Sequence, residues 1–327
     1  MSPVRALHRL DRLPRTRLAV CPTPLLQAPA LAKHIGLSGG LWIKADAWTG
    51  FGLGGNKVRK LEYELSPRRL DGVTELVTAG GPHSNHCRVT AAAAAHLGLA
   101  CTLVVNGRPE DPNRGNALLH RLLGARIVTV PGREDRPGAM EERAGEVASN
   151  GGKALLIPLG ASSALGCIGY ARAFGEIADQ LPGGGPATIV VPSSSGGTLA
   201  GLVLGMALRG TPWPVLGVSA DDPADVVRSR AVSLAYGAAS FPELGPLSEE
   251  TIETVSGGVR VTDAHVGDGY GIPTPEGDAA KELFARKAGI ILDPVYTAKA
   301  GAALIHETHG LGPVVFIHTG GHPALFR

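Results

Sequence analysis

The sequence predicts a two-domain α/β protein in which each domain is a mostly parallel sheet flanked by helices. Short β-branched runs alternate with longer alanine- and leucine-rich stretches, the signature of consecutive βα units. The alternation comes in two series, the second beginning near Ser163. A chain of 327 residues that is 44% hydrophobic can furnish two cores rather than one.

The first series places strands at 74–78, 101–105, 126–130 and 154–157, with helices at 84–97, 113–123 and 138–149 between them. Strand-helix alternation of this kind implies parallel pairing, because the helix carries the chain back to the starting edge. The second series places strands at 188–191, 215–219 and 314–318, and helices at 198–208, 223–236, 275–287 and 298–308. Leu181-Pro182-Gly183-Gly184-Gly185-Pro186 is a helix-to-strand connection. Ligands in such sheets lie beyond the carboxyl ends of the strands, so the segments following strands are where chemistry is expected.

Composition excludes several classes of partner. Thirty-one Lys and Arg against 29 Asp and Glu leave a net charge of +2, and aromatics make up 4%, giving neither a phosphate-tracking stripe nor a stacking platform for nucleic acid. The longest apolar stretch, 89–105, is broken by His96 and Gly98 and divides into helix and strand rather than forming a membrane span. Cys21, Cys87, Cys101 and Cys167 show no Cys-x-x-Cys spacing, and the basic N-terminus, Arg5 to Arg17, lacks the apolar core of a leader. The expectation is a cytoplasmic protein with reduced thiols and a small-molecule partner.

Six segments carry candidate chemistry. Gly54-Gly55-Asn56-Lys57-Val58-Arg59-Lys60 could hold Lys57 on a short, rigid approach as a carbonyl-binding amine; the plainer reading is a glycine turn opening a basic, solvated helix. Ser193-Ser194-Ser195-Gly196-Gly197-Thr198 follows a strand and opens a helix, an arrangement that turns N–H groups and hydroxyls into an anion site. It lacks the Gly-Lys-Ser/Thr ending of a nucleotide loop, and no Gly-x-Gly-x-x-Gly follows the first strands. His83-Ser84-Asn85-His86 sits at another strand-to-helix junction, where Ser84 and Asn85 either cap the helix or face a ligand. His83 and His86 have no third partner at a metal-ligand spacing, so no metal is expected. Tyr270 and Tyr296 lie among glycines and prolines, and the chain ends on a buried strand leading to Thr319-Gly320-Gly321-His322.

Taken together, these segments resemble the D-cysteine desulfhydrase and 1-aminocyclopropane-1-carboxylate deaminase family of pyridoxal-phosphate enzymes. The resemblance starts at Pro22-Thr23-Pro24-Leu25 and Leu41-Trp42-Ile43-Lys44, passes through the lysine segment and Ser162-Ser163-Ala164-Leu165-Gly166, and ends at the C-terminus. It implies a two-domain fold type II enzyme with a large cofactor-binding domain from 1–52 and 163–327 and a small mobile domain from 53–162. It implies that Lys57 carries pyridoxal 5'-phosphate, Asn85 bonds the ring oxygen, and Ser194, Ser195, Gly196, Gly197 and Thr198 hold the phosphate. Ser84 would bind the substrate carboxylate or assist proton transfer, with His83 beside it, Tyr270 and Tyr296 would contact substrate and ring, and Thr319 would face the pyridine nitrogen. A homodimer is implied as well.

The implied reaction is β-elimination from an amino acid, most simply thiol release from D-cysteine to give pyruvate and ammonia. A desolvated Lys57 would have a lowered pKa and serve as the base. Thr297 and Thr319 stand where the cyclopropane deaminases place a glutamate and a leucine, and a hydroxyl cannot stabilise a charged pyridinium as a carboxylate does. β-Replacement, racemisation and cyclopropane deamination are the alternatives. The chain departs from the family pattern at His83, usually glutamine, at Ala298, usually glycine, and at His322. An imidazole beside Ser84 could favour a more acidic substrate.

Overall fold

Parallel pairing dominates both halves of the molecule. The structure, a computed structural model, describes residues 8–327, so Arg5 of the basic N-terminal stretch lies outside it. In chain order the strands are β1 (Leu25–Gln27), β2 (Leu41–Lys44), β3 (Glu75–Gly80), β4 (Ala100–Asn106), β5 (Arg126–Val130), β6 (Ala154–Leu156), β7 (Thr188–Ser193), β8 (Val215–Ser219), β9 (Val259–Thr262) and β10 (Val314–Ile317). The helices are α1 (Pro29–His34), α2 (Asn56–Glu64), α3 (Pro67–Leu70), α4 (Asn85–Leu97), α5 (Gly115–Leu122), α6 (Arg136–Ser149), α7 (Ala164–Gln180), α8 (Gly197–Arg209), α9 (Ala224–Ala239), α10 (Glu249–Ser256), α11 (Pro275–Ala288) and α12 (Thr297–Glu307). Three of the last four expected helices shift by only one or two residues at either end; α9 runs on to Ala239.

Six strands form one sheet in the order β1-β2-β10-β7-β8-β9, and four form the other in the order β5-β4-β3-β6. Only β1 runs antiparallel, pairing Leu25 with Lys44 of β2. In the larger sheet Ile189, Val191, Val315 and Ile317 face α7 and α8, while Val190, Leu216, Val314 and Phe316 face α1, α11 and α12. Both faces are therefore dry, which explains why these strands read as continuous apolar runs instead of alternating ones. Leu76, Leu103 and Val105 of the smaller sheet pack with Val58, Leu61, Val89 and Ala93 in a separate core.

Two elements differ from expectation in ways that matter for the site. The 17-residue α7, capped by the Ser163 hydroxyl on Gly166 N at 2.9 Å, was not marked by the alternation, because Gly166, Gly169 and Gly175 interrupt its apolar pattern. Two of those glycines serve close packing: a Cβ on Gly169 would lie 2.2 Å from the Arg59 carbonyl oxygen of α2, and one on Gly166 would lie 2.1 Å from the Ala161 carbonyl oxygen. Helix α2 itself is not a solvated basic helix, since Val58, Arg59, Lys60, Leu61, Glu62, Tyr63 and Glu64 are all buried. It belongs to both cores, with Val58 and Leu61 in that of the small sheet and Tyr63 in that of the large one.

Candidate active site

Lys57 reaches the site because its loop is forced there. Gly54 has φ of 68°, and a Cβ on it would lie 2.0 Å from the Ala47 carbonyl oxygen, so only glycine fits. Gly55 N donates to Thr49 Oγ1 at 2.8 Å, and Asn56 N donates to the Thr319 carbonyl at 3.0 Å. The lysine loop is thereby stitched to the segment after β10. Below it Arg59 binds both carboxylate oxygens of Asp46, at 2.8 and 2.9 Å, and both of Glu176, at 2.8 Å.

The cavity that results, about 470 Å³, lies between the carboxyl ends of β3, β7, β8 and β10. Lys57 lines it, and burial pulls the amine down to about 8, opposed only by a side-chain hydrogen bond with Lys60. Lys60 is pushed well below its usual range, first by burial and then by the charge of Lys57. A neutral amine is the form that attacks a carbonyl. Capture of pyridoxal phosphate by the cofactor-stripped protein is therefore expected to accelerate as pH rises through about 8 and to level off above it, whereas an unperturbed lysine would keep accelerating toward ~10.4. Absorbance kinetics between pH 6.5 and 10 distinguish the two.

The loop after β7 forms an anion cradle. Gly196, with φ of 82°, turns the chain into α8, whose first N–H groups face the cavity. Ser195 and Ser162 hydroxyls lie 2.7 Å apart, Ser162 Oγ accepts from Gly197 N at 3.2 Å and from Lys60 Nζ at 3.0 Å, and Thr198 Oγ1 accepts from Asn56 Nδ2 at 3.0 Å. Ser193 Oγ is buried without a partner, a donor waiting for an acceptor. A Cβ on Gly160 would sit 2.6 Å from Ser195 Oγ and 3.5 Å from Lys57 Nζ, so that glycine keeps the space between cradle and lysine open.

Across the cavity, Ser84 caps α4 by accepting from Cys87 N at 3.2 Å. The Asn85 carbonyl oxygen accepts from Arg88 at 2.7 Å and from Asn116 at 2.9 Å. With its oxygen occupied, the amide turns its NH₂ free for an acceptor in the cavity. His86 is buried, bonded to Thr78 at 2.8 Å, and kept neutral by burial. Tyr270 and Tyr296 join hydroxyl to hydroxyl at 2.5 Å with rings at 70°, and burial raises both pKa values so that they stay protonated.

Of the residues expected at the site, Lys57, Ser84, Asn85, Ser194, Ser195, Gly196, Thr198, Tyr270, Tyr296 and Thr319 line this one cavity, with Gly197 directly behind the cradle. His83 does not; its Nδ1 is buried and unpartnered, with the loop at Gly115 close by. Nor does Thr297, whose hydroxyl donates to Asp293 Oδ1 at 2.6 Å, and His322 borders a separate apolar pocket. Sequence reasoning missed Lys60, Ser162 and Gly160, and also Arg133, Arg136, Asp221, Asp222 and Arg230 on the cavity wall. Ser162 and Lys60 fell within quoted segments and Arg230 within the expected helix 223–236, but none of the eight residues carried a local signal that marked it for this cavity. Among the described residues no cluster suited to a metal ion exists, and no helix is long and apolar enough to cross a membrane.

Residues 16–320 match the family described as pyridoxal-phosphate dependent enzymes. Among solved structures, an ACC deaminase homologue is 35% identical with a TM-score of 0.87, covering 100% of this chain and 97% of that one. A threonine deaminase from T.th. is 23% identical with a TM-score of 0.67, covering 98% of each chain. Diaminopropionate ammonia lyase from Escherichia coli is 16% identical with a TM-score of 0.65, covering 99% of this chain and 88% of that one. The last two likenesses concern the fold.

Proposed function

Because the chain belongs to the family of pyridoxal-phosphate dependent enzymes, of fold type II, we propose that this lyase eliminates the β-substituent of an amino acid, releasing the thiol of a D-cysteine-like substrate to leave pyruvate and ammonia. The residues present fit the cofactor. An orphaned Ser193 hydroxyl and the N–H groups opening α8 suit its phosphate, the free Asn85 NH₂ suits its ring oxygen, and Lys57 offers a lowered amine for its aldehyde. Bound there, pyridoxal phosphate supplies the electron sink.

The chain's own groups do the rest. With the cofactor bound, Lys57 Nζ would take the Cα proton of the substrate, and its lowered pKa suits it to act as a base near neutral pH. Ser84 and the start of α4 orient the substrate carboxylate. The Tyr270–Tyr296 pair, protonated, offers a hydroxyl donor to the departing substituent. Residues 53–162 form the small domain that closes on the site, and the assembly is a homodimer.

The observation that carries elimination over ring opening is Thr319. Asp221 and Asp222 are held by Arg133 and Arg230, and Asp293 accepts from the backbone N–H groups of Val295 and Thr297, which leaves Thr319 an uncharged partner for the ring nitrogen. Pyruvate release from D-cysteine or β-chloro-D-alanine should exceed oxobutyrate release from 1-aminocyclopropane-1-carboxylate by at least about tenfold in kcat/KM, equivalent to about 1.4 kcal/mol. Comparable turnover of the cyclopropane substrate would refute the assignment.

A further inference from the structure

Arg88 is a buried cation held only by neutral groups. It is 1% exposed and stands in the first turn of α4, where the helix dipole opposes positive charge. Its hydrogen bonds go to uncharged oxygens: Nε donates to the Gly52 carbonyl at 2.8 Å, Nη2 to the Gly54 carbonyl at 2.8 Å, and Nη1 to Asn85 Oδ1 at 2.7 Å and Asn116 Oδ1 at 2.9 Å. Burial pulls its pKa down to about 10, and no neighbouring charge offsets that cost. An apolar side chain of similar length would fill the space without burying a charge, so packing alone does not account for the arginine.

What distinguishes a guanidinium here is that it donates and never accepts. Behind the cavity Asn116 Nδ2 donates to the His83 carbonyl at 2.7 Å and to Asn85 Oδ1 at 2.9 Å. Arg88 Nη1 occupies the oxygens of both amides, which leaves each NH₂ to point elsewhere, that of Asn116 to His83 and that of Asn85 into the cavity. Without the guanidinium, Asn116 Oδ1 is an open acceptor beside Asn85, and the Asn85 NH₂ can turn to it and away from the cavity. Asn116 alone holds Asn85 with a neutral bond; the bond from Arg88 is shorter and charge-assisted, roughly twice as strong.

We propose that Arg88 is a positioning residue for the cofactor: it fixes the Asn85 amide with the NH₂ toward the ring oxygen of pyridoxal phosphate and polarises that N–H through the amide. The inference rests on the reading that the cofactor's ring oxygen lies at Asn85. Polarisation follows because a charge on the acceptor side of an amide strengthens the donor on its other side. The same guanidinium grips the Gly52 and Gly54 carbonyls on the approach to Lys57, so one rigid fork sets the amide and the lysine loop in register with each other. The grip on the loop concerns the aldehyde end of the cofactor and is felt whether or not the ring carries an oxygen.

The full chain is titrated with pyridoxal phosphate and with deoxypyridoxal phosphate, the analogue without the ring hydroxyl, and binding is read from the absorbance of the holoenzyme formed. The ratio of the two affinities isolates the ring oxygen, because damage to the lysine loop or to overall stability weakens both ligands alike. Asn85→Ala should lower that ratio by about ten- to a hundredfold, the worth of a hydrogen bond to a charged oxygen. Arg88→Gln, whose amide accepts as well as donates, should lower it by at least about fivefold, and Arg88→Lys, charged and donor-only, should restore part of the loss. Adding Arg88→Gln to Asn85→Ala should lower the ratio no further. Arg88→Met carries the same test if Arg88→Gln does not fold. A wild-type ratio in the Arg88 variants, with a lowered one in Asn85→Ala, overturns the proposal and leaves the cofactor site standing. A ratio that Asn85→Ala leaves unchanged refutes the placement of the ring oxygen itself, and the proposal with it.

Discussion

Lys57→Ala is expected to abolish turnover, with loss of the base alone worth on the order of 10²–10⁴-fold in kcat. The variant should still fold and retain pyridoxal phosphate loosely, because the cradle of Ser195, Gly197 and Thr198 is built on contacts that do not involve Lys57. What it loses is the borohydride-reducible link. After reduction of the wild-type holoenzyme, peptide mass spectrometry should place the cofactor on Lys57. Lys60 is the informative competitor: it is buried three residues away and also has a lowered pKa, but its amine is occupied by Ser162 at 3.0 Å and does not line the cavity. Cofactor on Lys60, or undiminished turnover in Lys57→Ala, would overturn the site.

The second large effect is on stability. Arg59, two residues beyond the active lysine, is 2% exposed and bridges Asp46 and Glu176, while Lys44 donates to Glu176 at 2.7 Å and Tyr170 to Asp46 at 2.6 Å. Burial alone would raise both carboxyls; the charge and hydrogen bonds of Arg59 outweigh it and hold them below the usual carboxylate range. Arg59→Met removes the only ion-pair partner, among the described residues, of the fully buried Asp46 and leaves Glu176 to Lys44 alone, and breaking such a buried pair costs roughly 3–5 kcal/mol. With about 2.1 cal/mol/K of unfolding entropy per residue, that corresponds to a Tm lower by roughly 4–7 °C. The sign with pH is a further check. In the wild type the contribution is present above the unfolded carboxylate pKa and lost as pH falls through the depressed folded values. In the variant, burial of Asp46 is no longer outweighed by Arg59, so its carboxyl rises and can take up a proton, and the deficit should be greatest near neutral pH and shrink as pH falls. Calorimetry that finds an unchanged Tm at pH 7.5 would show that the network is not what fixes the lysine helix.

Much of the architecture was legible because its physical signals are local. Strands 126–130 and 215–219 are short runs rich in β-branched residues, the second buried on both faces of its sheet, and their observed bounds coincide with the expected ones. Helices after glycine- and serine-bearing turns were found near their true starts because capping chemistry is written in adjacent residues. Helix α7 was not, since its glycines look like helix breakers, whereas Gly169 is the point where the backbone of α2 approaches it. Strands β1, β2 and β9, of three or four residues, are too short to show a period.

By itself, then, the sequence determined the fold class and the cofactor, because these depend on short segments whose meaning survives without their surroundings. Which groups share the cavity was decided by tertiary structure. Ser84 and Thr319 are 235 positions apart and meet only because β3 and β10 end at one opening, and the same packing leaves His83 off the cavity wall and turns the Thr297 hydroxyl to Asp293. Arg136 lies in the polar run Gly132-Arg133-Glu134-Asp135-Arg136, between the expected strand 126–130 and the expected helix 138–149. Its unpaired charge becomes visible only when the fold has assigned a carboxylate to each of the other two cavity arginines and none to it.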